Sequence, residues 1–233
     1  MTSSTQAVSI QACKHCGTGA PPNAHFCPHC EKILAVARHG DYFSFFGLPA
    51  KLKIDRRDLD ERLRTLSRQF HPDYFCNAEP AERLAALERS SYLNDAYRVL
   101  KDPVTRVEYL LKLECRQGES GVARGATGPD AAFLESIFAA NEKIDAVRAA
   151  REAGAPADEV RKRLDEARRP IEEKRATHDR RLEALAAEWD AQVDAGVPAA
   201  DRRRTLEALR AWLVEHTYIA NLLAAVDRET DAV

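Results

Sequence analysis

Residues 51–75, KLKIDRRDLDERLRTLSRQFHPDYF, decide the fold, because they join a complete amphipathic helix pattern to the loop that ends it. Asp55 has a side chain suited to cap the first turn. The apolar positions then recur at steps of four, three and four, which predicts one buried face of an α-helix. They are Leu59, Leu63, Leu66 and Phe70. Pro72 cannot continue the helix, so a loop is predicted to follow.

The same helix carries an excess of positive charge. Residues 51–70 hold seven lysines and arginines against four acidic residues. Arg57, Arg64 and Arg68, called the basic stripe below, are predicted to share the face opposite the leucines, because they lie two turns and one turn apart. A stripe of this kind can attract an acidic protein surface and fix its register.

His71, Pro72 and Asp73, called the HPD loop below, admit four interpretations: a catalytic pair, a metal pair, a surface that another protein binds, and a helix stop. A general base needs an orienting group, and the neighbouring sequence has no phosphate-binding glycine loop, nucleophile motif or second carboxylate pair. Two ligands are too few for a metal site. The tripeptide alone favours a helix stop, but the basic stripe beside it favours a protein-binding surface.

Composition restricts the class of protein. The 233 residues are 45% hydrophobic and 31% charged, with a net charge of −2. Alanine and leucine abound and β-branched runs are missing, which predicts a soluble, all-α protein. No apolar run approaches the roughly 18 residues of a membrane span, and the charge does not favour nucleic acid as a partner. Residues 1–12 lack the pattern of a secretory or mitochondrial leader, so we expect a cytoplasmic protein.

Glycine and proline divide the chain into five predicted segments. They are a flexible N-terminus (1–12), a metal-binding module with a connecting segment (13–40), a four-helix domain (41–114), a glycine-rich linker (115–129) and a three-helix bundle (130–233). In the four-helix domain, residues 80–100 predict the third helix. Its expected inward-facing residues are Leu84, Leu87, Ala96, Tyr97 and Leu100.

The bundle is predicted from helical periodicity in three later segments. The first has apolar positions at alternating steps of four and three: Phe133, Ile137, Ala140, Ile144 and Val147. The second contains Pro170, where we expect a kink or a break. Trp189 and Trp212 are predicted core residues.

Leu134 and Phe138 lie about 100° around the first bundle helix from Phe133 and Ile137. Periodicity alone favours a wide buried stripe that includes them. The alternative is an exposed apolar strip with Glu135 and Glu142 nearby, which would suit a protein-binding surface.

Four of the six cysteines form two pairs, Cys13-x-x-Cys16 and Cys27-x-x-Cys30, with ten residues between them. Each pair can offer two thiolates from one tight turn, which Gly17 assists in the first pair. We predict that these four cysteines hold a structural zinc ion. A rubredoxin-like iron site is the rival metal site, and two disulfides are the remaining alternative.

Other potential ligands are left out of the predicted zinc site. His15, His25 and His29 lie among the cysteines, but four thiolates complete the coordination shell, so we expect these histidines to be exposed. Cys76 and Cys115 lie alone in helix-rich sequence, as is typical of free thiols in a reducing compartment.

The order of helices and HPD loop from Asp41 to about Leu113 resembles a J-domain. Four stretches resemble, more specifically, the HscB family of J-protein co-chaperones of iron–sulfur cluster assembly: DYFSFFGLP (41–49), FHPDYF (70–75), LNDAYRVLKDPVTRVEYLLKL (93–113) and FLESIFAANEKID (133–145). The four-cysteine module is similar to that of longer family members. With this resemblance, the short start before Cys13 favours a bacterial member.

The resemblance implies a protein that performs no chemistry of its own. The HPD loop and the basic stripe would bind the nucleotide-binding domain of a DnaK/HscA-type chaperone and stimulate its ATPase, biasing states of that partner. Pro72 would hold the loop rigid and lower the cost of ordering it. Tyr74 stands where many J-domains have a basic residue.

The resemblance also implies that the C-terminal bundle holds the cluster scaffold protein IscU. The scaffold-binding residues would be Leu134, Glu135, Phe138 and Glu142. Glu135 stands where the family commonly has methionine, and Ala139 where it commonly has an acid.

Two other functions stay open. One is a general J-protein adaptor for another client, with the cysteine module choosing the partner. The other is a redox protein with an iron-loaded four-thiolate site, which colour would distinguish from a zinc protein. The module itself could stabilise the N-terminus, mediate self-association or contact the scaffold.

Overall fold

The structure, a computed structural model, describes residues 11–21, 23–35, 41–116 and 128–233. The chain divides into two compact units between Leu110 and Leu111. Most of the predicted N-terminus and of the predicted glycine-rich linker lies outside the described residues; Gln11 and Ala12 are described and form a strand. The five predicted segment boundaries stay predictions.

The first unit begins with the cysteine module. Strand β1, Gln11–Ala12, pairs antiparallel with β2, Gly19–Ala20. Phe26 and Ile33 form an isolated antiparallel bridge further along. The buried residues of the module are few: Cys13, Ala20, Cys27, Ile33 and Leu34. So small a core needs another source of stability, such as a bound metal ion.

Helices make up the rest of the first unit. They are α1 (Tyr42–Phe45), α2 (Arg56–Gln69), α3 (Pro80–Lys101) and the first part of α4 (Pro103–Arg116), which crosses the boundary after Leu110, with a 3₁₀ turn at Pro72–Phe75. Asp55 caps α2 as predicted, because its Oδ1 accepts the amide protons of Arg57 and Asp58 at 2.7 and 3.2 Å. Leu59, Leu66 and Phe70 are buried, and the fourth predicted residue, Leu63, is half-buried. The sequence pattern therefore predicts both the start and the inner face of α2 correctly.

The predicted inner face of α3 is partly wrong. Leu84 and Leu87 are 57% and 54% exposed, whereas Ala96 and Leu100 are buried as predicted. The buried positions recur at steps of four, four, three and four. They are Ala85, Arg89, Leu93, Ala96 and Leu100, and Ala86 beside Ala85 is buried as well. An arginine on the buried face breaks the apolar pattern, and this shifted the predicted face.

The second unit contains the predicted three-helix bundle. Its helices are α5 (Ala131–Glu152), α6 (Ala157–Asp194) and α7 (Arg203–Asp231), with a 3₁₀ turn at Ala199–Arg202. Trp189 and Trp212 are fully buried, as predicted. The shared apolar core consists of Ile137, Ile144, Val147, Val160, Leu164, Ile171, Ile219, Leu222 and Val226.

Pro170 lies inside α6, which continues without a break from Ala157 to Asp194. The predicted break is therefore absent. Proline inside a helix costs about 3 kcal/mol or more. Ala167 and Ile171 on either side of Pro170 are buried, and their packing offsets this cost.

Among the described residues, no helix combines the length and the hydropathy that a membrane crossing requires.

His178 is a buried titratable residue of the bundle. Its ring stacks on Trp212 with centroids 4.9 Å apart, and the Trp212 ring stacks on His216 at 5.0 Å. His178 Nε2 donates to the Trp212 carbonyl at 3.0 Å, while Trp212 Nε1 donates to the His178 carbonyl at 3.0 Å. Burial lowers the pKa of His178 below 6.5, although the Trp212 carbonyl and Glu215 oppose this shift.

This depressed pKa predicts a pH-dependent stability of the bundle. The unfolded chain takes up a proton at His178 near pH 6.5 and the folded chain only at lower pH, so the free energy of unfolding should fall as pH decreases below 6.5. His178→Gln should weaken this dependence. Urea titrations followed by tryptophan fluorescence report on the bundle, because both tryptophans, Trp189 and Trp212, lie in it. If His178→Gln loses as much free energy of unfolding between pH 7 and pH 5 as the unchanged chain does, the prediction is wrong.

Candidate functional site

The two cysteine pairs occupy two similar turns. In the first, the Gly17 amide donates to the Cys13 carbonyl at 2.8 Å; in the second, the Glu31 amide donates to the Cys27 carbonyl at 3.0 Å. Gly17 and Glu31 both have positive φ, 73° and 58°. The first turn uses glycine as predicted, whereas the second forces a side-chain-bearing residue into the left-handed region, at a cost of roughly 1–2 kcal/mol.

The turns bring the four predicted ligands together. The sulfurs of Cys13, Cys16, Cys27 and Cys30 all lie within 4.8 Å of one another. Cys13 Sγ lies 3.7 Å from Cys30 Sγ, and Cys16 Sγ lies 3.6 Å from Cys27 Sγ. A tetrahedron with metal–sulfur bonds of about 2.3 Å has edges of about 3.8 Å. The arrangement therefore fits a four-thiolate metal site, and its sulfurs are too far apart for disulfides of about 2.05 Å.

Crowding of the thiols also favours a cation. Hydrogen bonds from the Thr18 side chain and backbone lower the pKa of Cys16 to about 6. The Lys32 backbone stabilises the Cys30 thiolate, but burial and the other cysteines outweigh it and raise the pKa of Cys30 to about 12. Four adjacent thiolates repel one another without a positive ion, because like charges raise one another's pKa.

The structure corrects the prediction for His25. This residue is half-buried rather than exposed: its ring lies 4.9 Å from that of Phe45 and 5.0 Å from that of Phe70, in edge-to-face contacts. Burial and the charge of Arg89 lower the pKa of His25 to about 4. His25 is therefore neutral at pH 7 and accepts a hydrogen bond from Arg89 at its Nδ1. His15 and His29 are exposed, as predicted.

The HPD loop lies directly after α2. Phe70 ends the helix, with its amide bonded to the Leu66 carbonyl at 2.9 Å. His71 is extended and caps the following 3₁₀ turn by accepting the Asp73 amide proton at Nδ1, 3.3 Å away. Pro72 occupies the first position of that turn, where its fixed φ is suited to a helical conformation. The loop is thus held by local bonds, while its side chains project outward.

Exposure of the loop is high. The Asp73 side chain is 86% exposed and lies 3.5 Å from His71 Nδ1. Tyr74 is 74% exposed. Within the described residues, the four cysteines are the one group of three or more potential ligands placed to hold a metal ion. The HPD loop is therefore exposed to solvent, and it is not part of such a ligand cluster.

The basic stripe is exposed beside this loop. Arg57, Arg64 and Arg68 all lie on the solvent side of α2. Two other arginines of the helix bind within the unit instead: Arg56 Nε contacts Asp60 at 2.9 Å, and Arg62 contacts Asp58 at 2.9 Å. Arg56 is exposed as well, so what distinguishes Arg56 and Arg62 is that each forms an ion pair with an aspartate of the same helix.

The predicted scaffold-binding residues lie on α5, which Asp130 caps by accepting the Phe133 amide proton at 2.6 Å. Phe138 is 69% exposed, so the wide buried stripe that periodicity favoured is wrong at this position. Leu134 is half-buried, while Glu135 and Glu142 are exposed. Leu134, Phe138 and Glu142 follow one another at steps of four and so share one face of the helix.

Arg89 is a functional candidate that the sequence interpretation missed. It is 2% exposed, and its guanidinium binds the cysteine module rather than solvent. The signal was its spacing: Arg89 lies four residues after Ala85 and four before Leu93, within the buried stripe of α3.

Comparisons with known proteins agree with this architecture. No family model matches the chain. The structure is similar to that of human co-chaperone protein HscB, with 23% identity and a TM-score of 0.67, covering 96% of this chain and 100% of the human chain. It is also similar to chaperone HscB from Vibrio cholerae, with 29% identity and a TM-score of 0.55, covering 83% of this chain and 99% of that one. The chain therefore has the fold of these HscB co-chaperones, and its clustered cysteines could hold a metal ion.

Proposed function

We propose that this chain is a co-chaperone of iron–sulfur cluster assembly. It binds an IscU-type scaffold protein through the C-terminal bundle and delivers it to a DnaK/HscA-type chaperone, whose ATPase it stimulates. The observation that carries the proposal is the HPD loop, exposed at the end of a basic helix in a chain with the HscB fold.

The loop and the basic stripe supply the chaperone-binding surface in this proposal. Asp73 offers a carboxylate that is largely exposed to solvent, and the stripe adds three exposed positive charges. Opposite charges on the two partners orient the encounter and fix the register. The loop is held by local hydrogen bonds before binding, so little ordering cost is left for the complex.

The chain needs no active site of its own for this role. ATP hydrolysis by the chaperone provides the energy, and the co-chaperone favours one state of that enzyme by binding it better. The exposed apolar residue Phe138, flanked by exposed acids, is the proposed anchor for the scaffold.

The steady-state ATP turnover of purified DnaK/HscA-type chaperones tests the proposal, with this protein added in the presence and absence of IscU. Stimulation that is greater with both proteins than the sum of their separate effects is expected. Stimulation indifferent to IscU would favour the general J-protein adaptor. No stimulation of any such chaperone would overturn the proposal.

We also propose that the metal of the four-cysteine site is zinc, which suits a closed tetrahedral thiolate shell and would stabilise the small module. Purified protein should be colourless and contain one zinc ion for its single cysteine cluster. Cys30→Ser should lose the metal, whereas Cys115→Ser, at an exposed cysteine outside the cluster, should retain it. Metal analysis of the three proteins measures this. A red, iron-containing protein would instead support the redox alternative.

A further inference from the structure

Arg89 of α3 is bound to the cysteine module by every arm of its guanidinium. Nε donates to the Leu34 carbonyl at 2.5 Å, and one terminal nitrogen donates to His25 Nδ1 at 2.7 Å. The other terminal nitrogen donates to the carbonyls of Ala24 and Ala35, each at 3.1 Å. All four acceptors belong to residues 24–35, the segment that carries Cys27 and Cys30. One buried side chain thus attaches the second cysteine turn to α3.

The same segment covers the base of the HPD loop. Phe70, which directly precedes His71, is fully buried. The His25 ring lies 5.0 Å from it and the Phe26 ring 6.1 Å from it. The Arg89 guanidinium lies over its face at 5.5 Å. The module therefore supplies part of the pocket that fixes the last residue before the loop.

Loss of these contacts would be costly. Burial lowers the pKa of Arg89 to about 10, so its guanidinium is still charged at neutral pH. Carbonyl oxygens of the module stabilise that charge. Without them, the buried guanidinium would lie against Phe45 and Phe70 with unsatisfied hydrogen-bond donors. A buried charge without partners is strongly destabilising, so the surrounding structure would have to change. Release of the module therefore forces α3 and Phe70 to rearrange.

We propose that the cysteine module is a positioning element for the HPD loop. The metal ion holds Cys27 and Cys30, their segment holds Arg89 and Phe70, and Phe70 fixes the start of the loop. Metal loss should then loosen the loop and weaken stimulation of the chaperone. The consequence for stimulation rests on the proposed co-chaperone function, and the effect of metal loss rests on the proposed zinc site, whereas the contacts of Arg89 and Phe70 with the module rest on neither.

The competing explanation is that the module only adds general stability to the first unit. The two explanations differ in where protection from hydrogen exchange is lost. The Phe70 amide is bonded to Leu66, and the Tyr74 amide to the His71 carbonyl at 3.0 Å. Positioning predicts faster exchange at these two amides, while general destabilisation predicts faster exchange across α4 as well.

Amide exchange of the full-length, zinc-loaded chain tests this with Arg89→Met. The variant should keep its zinc and exchange at Phe70 and Tyr74 at least about tenfold faster, with residues 103–110 unchanged. Chelation of zinc from the unchanged chain should produce the same local acceleration, which keeps the test valid if Arg89→Met does not fold. Unchanged exchange at Phe70 and Tyr74 after chelation would overturn the proposal, as would uniform acceleration across the first unit.

Arg106→Met is a matched control. Arg106 of α4 is also buried, but its Nε donates to the Leu100 carbonyl at 2.6 Å and it binds Leu52 rather than the module. Its replacement should accelerate exchange in α4 more than at Phe70 and Tyr74. ATPase stimulation measured in parallel separates the two proposals. If the loop loosens but neither Arg89→Met nor Asp73→Asn alters stimulation, the coupling stands and the proposed function fails.

Discussion

Asp73→Asn should abolish stimulation of the partner ATPase while leaving the fold intact. The Asp73 side chain is 86% exposed, so its carboxylate is available for a cation or backbone donor of the chaperone. Asparagine has the same shape but lacks the charge. Removing one partner from a hydrogen-bonded charge pair in an interface weakens the contact by about thirtyfold or more. The measurement is ATP turnover as a function of co-chaperone concentration.

The structure offers a clean control for this variant. Within the chain, Asp73 lies 3.5 Å from His71 Nδ1, and an ion pair between such exposed groups contributes little to stability. The loop is held instead by the Asp73 backbone amide, which asparagine retains. Glu88→Gln removes a negative charge from an exposed position of α3 and should stimulate normally. If Asp73→Asn stimulates ATP turnover to the same maximum, and at the same co-chaperone concentration, as the unchanged chain, the HPD loop is not part of the proposed interface.

Local patterns predicted α2 well because its determinants lie within the helix itself. Asp55 can bind the first free amides wherever the helix packs. Leu59, Leu66 and Phe70 occupy one face by geometry alone. The clustering of the four cysteines was equally predictable, since two residues between cysteines suit a single turn.

The missed features depend on contacts between distant residues. Arg89 is buried because carbonyls of residues 24–35, more than fifty positions earlier, accept its hydrogen bonds. An apolar pattern counts such a residue as polar and outward, so it placed Leu84 and Leu87 inside instead. His25 was predicted to be exposed for the same reason: nothing local indicates that Phe45 and Phe70 would enclose it. Sequence patterns give the faces of helices, but not which surfaces from elsewhere cover them.

Leu134→Ala with Phe138→Ala should sharply weaken binding of the IscU-type scaffold. A large aromatic side chain that is exposed in the free protein and buried in a complex can contribute 2 kcal/mol or more, which is roughly thirtyfold in affinity. Phe138 is 69% exposed, so it has most of its surface available for such burial. Leu134 lies one turn before it on the same face. Isothermal calorimetry against the scaffold measures the change.

Leu84→Ala with Leu87→Ala is the matched control, because these leucines are 57% and 54% exposed on α3, which is not proposed to contact the scaffold. That pair should bind the scaffold normally. Equal affinity in both double variants would place the scaffold site elsewhere, and an equal loss would indicate a non-specific apolar effect.

Folding should not confuse the comparison on α5. Phe138 contributes little to the core, and alanine has the highest helix propensity, so Phe138→Ala should leave the bundle at least as helical as before. Leu134 is half-buried, and its truncation removes some packing. The single Phe138→Ala variant therefore isolates the binding contribution, and unfolding followed by Trp189 and Trp212 fluorescence should be unchanged in it. If that single variant binds the scaffold with full affinity, Phe138 is not the anchor, and the proposed scaffold-binding surface on α5 lacks its central apolar residue.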